Sequence, residues 1–295
     1  MTPAPTLVGL IGAGIAHSLT PAMHRREGAA LGLDYDYVLI DLLERGVRPD
    51  AIGRLLAECR DAEFAAVNVT FPVKQLVIPH LDDLDPAAAR IGAVNLVVFR
   101  QGRTIGFNVD GAGFATGLRD GLPGAALGRV VQFGGGGAGS ATADALLGLG
   151  VRRLTIVDVD PAGSRALVAR LTAAYPGREI VAGGPAEAPG LLAGADGAVN
   201  ATPLGMEGHA GVPFDVAALS ASAWVADVVY RPLETALLQA ARARGLRTLD
   251  GGRMAVGQAV ASLREITGLE PDDARVHAHF LELVAAEQAV ADSTA

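Results

Sequence analysis

Apolar residues fall in short runs set off by glycine, proline and charge, and these runs alternate with longer stretches of mixed character. Short continuous runs suit strands buried on both faces, while mixed stretches suit helices packed over them. Taken in order, the pattern predicts a strand over 6–11. A helix over 21–31 follows, with Thr20 as N-cap and Pro21 in its first turn. Next come a strand over 35–41, a helix over 47–59 and a strand over 64–69. A helix is expected beyond Lys74, then a segment over 82–91. A strand over 92–99 carries one polar residue, Asn95, in an apolar run, and a turn at 100–103 leads to a return strand over 104–110. From 111 the pattern is helical, and 121–124 reads as a turn. Strand and helix then alternate from 130, as in a parallel sheet with right-handed crossovers. Within that region strands are expected over 197–202, 224–230 and 245–250, with a helix over 235–244. Closing helices are expected over 257–267 and 273–286, and a frayed tail over 288–295.

The sharpest local feature is Val130-Val-Gln-Phe-Gly-Gly-Gly-Gly-Ala-Gly-Ser140. Gly134, Gly136 and Gly139 give G-x-G-x-x-G, with Gly137 and Ala138 completing the loop. A small-residue helix over 140–149 and a second buried strand over 154–157 follow, ending at Asp158. Strand, glycine turn, helix, strand and acid is the context that a dinucleotide fingerprint requires. Gly134 allows a tight turn, Gly136 allows backbone to approach a pyrophosphate, and Gly139 allows helix and strand to pack closely. The helix N-terminus offers unpaired N–H groups and partial positive charge to phosphates. Asp158 follows Gly134 by 24 positions, close to the ~20 expected of the ribose-binding acid.

Composition narrows the class. A chain of 295 residues favours two domains. Hydrophobic residues at 50% against charged residues at 19% fit a well-buried globular protein. A net charge of −8 argues against a nucleic-acid footprint, though a pocket for an anion can still be locally basic. The single cysteine, Cys59, excludes an intrachain disulfide and gives no support to a cysteine-rich metal site. No apolar run is long enough to span a bilayer, and the start of the chain lacks the features of a signal peptide. The expectation is a cytoplasmic protein with no membrane or nucleic-acid partner and no metal. The residues leave its oligomeric state open, a homodimer included.

Eight ordered segments resemble the shikimate dehydrogenase family, and more closely its NAD-linked quinate/shikimate branch. They are Ser18-x-Thr20-Pro21-x-x-His24, Asn68-Val-Thr-x-Pro72-x-Lys74, Gly92-Ala-Val-Asn95 and Gly106-x-Asn108-x-Asp110-x-x-Gly113-Phe114. To these are added the Gly134 loop, Asn200-Ala-Thr-Pro-x-Gly-Met206, Asp227-x-x-Tyr230-x-Pro232-x-x-Thr235 and Gly251-x-x-Met254-x-x-x-Gln258. The resemblance implies an α/β fold of two domains. An N-terminal α/β substrate domain over 1–112 would be completed by C-terminal helices over 253–288, and a Rossmann dinucleotide-binding domain would occupy 113–252.

The resemblance also implies roles, each beside a plainer one. Lys74 is either a solvated surface lysine or the general acid/base that takes the proton as an alcohol becomes a ketone. Asp110 is either a helix N-cap or the acid paired with that lysine. Asn95 and Asn108 either cap turns or meet a polyol hydroxyl. Ser18 and Thr20 are either turn and cap residues or, as in the family, face the substrate carboxylate. Thr70 and Gln258 are further candidates for hydroxyl contacts, and Tyr230 is either a carboxylate contact or plain packing. Asn200, Thr202 and Met254 join the glycine loop and Asp158 as cofactor candidates, Met254 being otherwise a core gap-filler. The six histidines show no metal-ligand spacing or paired acid and read as structural or surface residues, and the arginines over 100–103 and 242–247 as solvated faces.

Departures from the family sharpen the expectation. Gly14, Arg25, Leu96 and Val109 stand where the family more often has Pro, Asn, Thr and Thr, and Thr20 replaces a serine. The basic residues that grip a 2′-phosphate are absent, and Val157-Asp-Val-Asp160 stands there instead. The expected function is therefore NAD-dependent oxidation of the C3 hydroxyl of quinate and/or shikimate, both small-molecule cyclic polyol acids. Its rivals are an aminoshikimate dehydrogenase and a non-catalytic metabolite sensor.

Overall fold

The computed structural model describes residues 5–294. Its elements in chain order begin with β1 (Thr6–Gly12), α1 (Thr20–Ala30), β2 (Tyr35–Asp41), α2 (Ile52–Asp61), β3 (Ala66–Val69), β4 (Asp83–Leu84), α3 (Pro86–Ile91), β5 (Leu96–Arg100) and β6 (Arg103–Phe107). They continue with α4 (Asp110–Gly121), β7 (Arg129–Phe133), α5 (Gly137–Gly148), β8 (Arg153–Val157), α6 (Pro161–Ala174), β9 (Glu179–Gly183), α7 (Ala188–Leu192) and β10 (Gly197–Asn200). The last are β11 (Trp224–Asp227), α8 (Ala236–Ala243), β12 (Arg247–Leu249), α9 (Gly252–Thr267) and α10 (Asp273–Thr294). Two compact units result. Unit 1 takes the chain up to Ala89, Ala93–Val109 and the chain from Val256, and unit 2 takes Arg90–Gly92 and Asp110–Ala255.

Unit 1 is built on a six-stranded sheet in the order β2-β1-β3-β5-β6-β4. β1 runs parallel to β2 and β3, β5 is antiparallel to β3 and β6, and β4 is parallel to β6. Alternate strand residues serve opposite faces. Ile11, Ile40, Val67, Val69 and Val97 join one core, with Leu55 and Leu56 of α2. Val8, Leu10, Tyr37, Ala66, Leu96 and Val98 join the other, with Leu263 of α9.

Unit 2 is a six-stranded parallel sheet in the order β12-β11-β10-β7-β8-β9. Numbered within the unit, this is the doubly wound 3-2-1-4-5-6 order, whose switch point falls between β7 and β10. One face carries Val130, Leu154, Ile156 and Val199. The other carries Val131, Phe133, Ala198 and Val225, with the rings of Phe133 and Phe214 stacked at 4.5 Å. Burial on both faces explains the near-continuous apolar runs of these strands.

Several local expectations change. The helix expected after Lys74 is a run of turns ending in a single 3-10 turn, Ile78–His80. Pro72 and Pro79 leave too little chain between them, and Pro79 supplies no N–H to continue a helix. The strand expected from 92 starts at Leu96, and Gly92 is in the left-handed region at φ +72, outside the extended range of a strand. α1 begins at Thr20 itself, so Thr20 is not its cap; the Ser18 hydroxyl accepts the Thr20 N–H at 3.3 Å. α5 begins at Gly137, so the glycine loop supplies its first turn. The tail expected to fray from 288 continues as helix α10 to Thr294, and Ala295 lies outside the described residues. Among the described residues no helix is long and apolar enough to cross a membrane.

Candidate functional site

In unit 1 the residues expected to meet substrate come from four places. Ser18 lies on the loop after β1, and this loop is pinned by Asp41 at the end of β2. The Asp41 carboxylate accepts the N–H groups of Gly14 at 3.1 Å, Ile15 at 2.7 Å and Leu43 at 2.9 Å. Burial pushes its pKa up, but the backbone donors of Ile15, Leu43, Gly14 and Glu44 outweigh this and hold it below the usual carboxylate range. Thr20 is buried in the first turn of α1.

Thr70 and Lys74 follow β3 directly. The Thr70 N–H donates to Ile11 O at 2.9 Å, and the Lys74 carbonyl accepts the Val94 N–H at 2.8 Å. Lys74 is half-buried. Asn108 is buried, and its amide donates to Ala93 O at 2.9 Å. Gln258, half-buried, stands on α9.

Asn95 is the most telling of these residues. Its Oδ1 accepts the Val109 N–H at 2.8 Å, its backbone N–H donates to Phe107 O at 3.0 Å, and its carbonyl accepts the Val69 N–H at 2.9 Å. Its Nδ2 is buried and has no protein partner. A buried amide donor left over by the protein fits an acceptor brought by a ligand, such as a ring hydroxyl.

In unit 2, Asp110 is the first residue of α4 and is buried. Tyr230 is half-buried on the loop after β11. Met254, in the first turn of α9, packs against the core that contains Trp224.

The glycine loop divides its labour among three positions. Gly134 sits at φ +98, and a Cβ there would meet the Ala201 carbonyl at 2.6 Å, across the switch point between β7 and β10. A Cβ on Gly139 would meet the Gly134 carbonyl at 2.2 Å. A Cβ on Gly136 would meet nothing within 4 Å. Two glycines thus allow backbone to close on backbone, and the third leaves its outer side open at the N-terminus of α5. That open side fits the pyrophosphate of a dinucleotide, with Gly137, Ala138 and Gly139 presenting first-turn N–H groups.

At the end of β8, Asp158 Oδ2 accepts the Gly135 N–H at 2.5 Å and Oδ1 accepts the Asp160 N–H at 2.8 Å. A carboxylate has about four lone-pair sites, so capacity remains for ribose hydroxyls. The Asn200 side chain is engaged within the protein. Its Oδ1 accepts the N–H and hydroxyl of Thr202 at 3.0 and 2.7 Å, and its Nδ2 donates to Leu204 O at 3.0 Å and Asp227 Oδ1 at 2.9 Å. With its amide consumed, Asn200 shapes the loop that carries Thr202.

The sequence pattern gave no role to several organisers of these loops, although Asp227 and Thr235 stand in one of the resembling segments. Gln132, fully buried in β7, donates to the carbonyls of Gly134 at 2.8 Å and Gly139 at 2.7 Å and accepts the Thr142 hydroxyl at 2.9 Å. Its signal was a polar residue inside Val-Val-Gln-Phe, immediately before the glycines. Asp227 accepts the Val229 N–H at 3.0 Å and the Thr235 hydroxyl at 2.8 Å, while Thr235 caps α8. Burial raises the Asp227 pKa against the pull of these donors.

Comparison with known proteins agrees with both halves. The family model described as "Shikimate dehydrogenase substrate binding domain" matches residues 10–97. A protein of Pseudarthrobacter chlorophenolicus named shikimate dehydrogenase (NADP(+)) is 52% identical over 97% of each chain. One of Corynebacterium efficiens named quinate/shikimate dehydrogenase (NAD(+)) is 49% identical over 94% of this chain and 98% of that one. The solved quinate dehydrogenase of Corynebacterium glutamicum in complex with NAD superposes with a TM-score of 0.88 at 45% identity, covering 94% of this chain and 99% of that one. Similarity at this level over nearly the whole length, on a matching two-sheet architecture, establishes that the chain belongs to the shikimate dehydrogenase family of oxidoreductases.

Proposed function

We propose that this chain oxidises the C3 hydroxyl of shikimate and quinate to the ketone, reversibly, with NAD and in preference to NADP. The observation that carries the cofactor choice is Asp158 at the end of β8, tied to Gly135 of the glycine loop. NADP carries a phosphate where NAD carries a ribose hydroxyl, which removes a donor that Asp158 can accept and adds negative charge beside it. Asp160 adds to the same field, and no Arg or Lys occurs from Leu154 to Ser164 to offset it. The NADP-named relative is slightly more similar overall, but whole-chain identity does not weigh the few residues that meet the 2′ position.

When bound, the nicotinamide supplies the hydride acceptor. The proton of the reacting hydroxyl goes to Lys74 Nζ, and Asp110 contributes the carboxylate that orients hydroxyls. Asn95 Nδ2 donates to a ring hydroxyl, with Thr70 and Gln258 as further polar contacts. Ser18 and Thr20, at the N-terminal end of α1, suit the carboxylate, and Tyr230 is placed in the same role. Gly134, Gly136, Gly137, Ala138 and Gly139 receive the pyrophosphate, and Thr202 and Met254 complete the cofactor side.

The test is absorbance at the reduced-nicotinamide band with quinate and shikimate, each with NAD and with NADP. Turnover of both acids is expected, with kcat/KM for NAD higher by about a hundredfold, equivalent to roughly 3 kcal/mol. Asp158→Ala should erase most of that preference. Equal use of NADP by the unaltered protein would remove Asp158 from this role, and no turnover of quinate at saturating NAD would remove quinate.

A further inference from the structure

A buried polar layer in unit 1 links the elements that carry the substrate residues proposed above. On α1, the fully buried His24 places Nδ1 2.9 Å from the Tyr35 hydroxyl and sets its ring edge-on to Tyr37, with centroids 4.9 Å apart. The Tyr37 hydroxyl donates to Asn68 Oδ1 at 3.0 Å. Asn68 Nδ2 in turn donates to the Asn95 carbonyl at 3.2 Å and to Ser262 Oγ at 3.1 Å. His24, Tyr37, Asn68 and Ser262 are each no more than 1% exposed, so their work lies inside the fold.

Each link stands a fixed step from a proposed substrate contact. His24 is four residues after Thr20 on α1, and Ser262 is four residues after Gln258 on α9, so each pair shares a helix face. Asn68 lies two residues before Thr70 and bonds the backbone of Asn95. Burying an amide in an apolar strand is costly unless every polar atom is satisfied, and once satisfied it holds one geometry. The Tyr37 hydroxyl can donate only to the oxygen end of Asn68. The Ser262 hydroxyl meets both ends of the amide, accepting from Nδ2 at 3.1 Å and donating to Oδ1 at 3.3 Å, so Tyr37 and Ser262 together fix which end of that amide faces the Asn95 carbonyl.

We propose that Tyr37 and Ser262, acting through Asn68, are positioning residues that aim the Asn95 amide at a ring hydroxyl of the cyclic acid and so set substrate affinity. This rests on the reading of Asn95 as a substrate contact. A contact made equally in the ground and transition states changes KM and leaves kcat alone.

The experiment compares Tyr37→Phe, Ser262→Ala, Asn95→Ala and the double variant Tyr37→Phe/Asn95→Ala. It reads kcat, KM for shikimate, KM for NAD, Tm, and the shikimate Kd by calorimetry. Tyr37→Phe and Ser262→Ala should each raise the shikimate KM and Kd by roughly three- to tenfold, the worth of one hydrogen bond, with kcat and the NAD KM little changed. In the Asn95→Ala background, Tyr37→Phe should add nothing, because the group it aims is gone. Losses of equal size in both backgrounds, or a parallel fall in Tm, kcat and both affinities, would mean a packing role alone and overturn the proposal. A raised KM in Asn95→Ala beside unaltered kinetics in Tyr37→Phe and Ser262→Ala overturns the positioning but keeps Asn95 as a ligand. An unaltered KM in Asn95→Ala overturns the ligand reading and the positioning with it.

Discussion

A lysine that takes a proton during hydride loss contributes in the transition state, so its removal should separate binding from turnover. Lys74→Ala is expected to lower kcat by ~10²–10⁴-fold while shikimate binding changes by no more than about a few-fold. Steady-state kinetics beside calorimetric binding give both quantities, and a kcat close to that of the unaltered protein would exclude the role. His24 makes a different prediction, about pH and folding. Burial lowers its pKa from 6.5 to about 3, so the folded chain keeps it neutral where the unfolded chain would protonate it. Its folded pKa is depressed, so its contribution is fully present above pH 6.5 and is lost as pH falls towards 3. Between pH 7 and pH 5 this amounts to about 2 kcal/mol of stability. Denaturant titration at the two pH values should show that loss in the unaltered protein and a smaller one in His24→Gln. Equal losses would mean that other groups set the acid limb.

At the scale of elements, the glycine turn makes opposite predictions for two neighbours. Gly139→Ala puts a methyl 2.2 Å from a backbone carbonyl that cannot swing aside, so a destabilisation of about 1–3 kcal/mol is expected. Gly136→Ala meets no protein atom within 4 Å and has an ordinary φ of −68, so its Tm should stay unchanged. Its NAD KM should nonetheless rise by roughly tenfold or more, a cost of at least about 1.4 kcal/mol in binding. Thermal melts and kinetics on the pair test this, and a fall in the Tm of Gly136→Ala would show that the turn itself needs that glycine. This turn was legible from spacing because the fingerprint fixes it within a few residues: Gly139 answers to the Gly134 carbonyl inside the motif, Gly134 to the Ala201 carbonyl beside β10, and Gly136 to no protein atom. The alternation of unit 2 was legible for the same reason. Gln132 and Asp41 were harder, because a polar residue inside or at the end of an apolar run says nothing of which N–H or carbonyl it will meet. Asn68 and Ser262 lie 194 positions apart, and no periodicity within either element announces the other. The turn after Lys74 is a milder case, since Pro72 and Pro79 stand plainly in the sequence and it is their closeness that leaves no room for a helix.

At the scale of the whole molecule, unit 1 draws on both ends of the chain. Glu27 of α1, 2% exposed, accepts two hydrogen bonds from Arg275 of α10, from Nε at 2.7 Å and Nη2 at 2.6 Å, and a third from the Asp272 N–H at 2.8 Å. Removing one partner of such a pair leaves a buried charge uncompensated, whereas removing both does not. Arg275→Ala should therefore lower Tm by several degrees, and adding Glu27→Gln should restore much of the loss. A double variant less stable than Arg275→Ala would show that Glu27 is held mainly by its other contacts. The order of the units along the chain has a further consequence for synthesis. A ribosome releases Glu27 and Asn68 long before Arg275 and Ser262, and it releases all of residues 110–255 in the interval. The inserted Rossmann unit is thus complete while the unit around it still lacks its last helices, and domains tend to fold as soon as they are whole. The unit that begins the chain is then the last to finish, and until α9 and α10 emerge its buried acid and amide must find their partners in water.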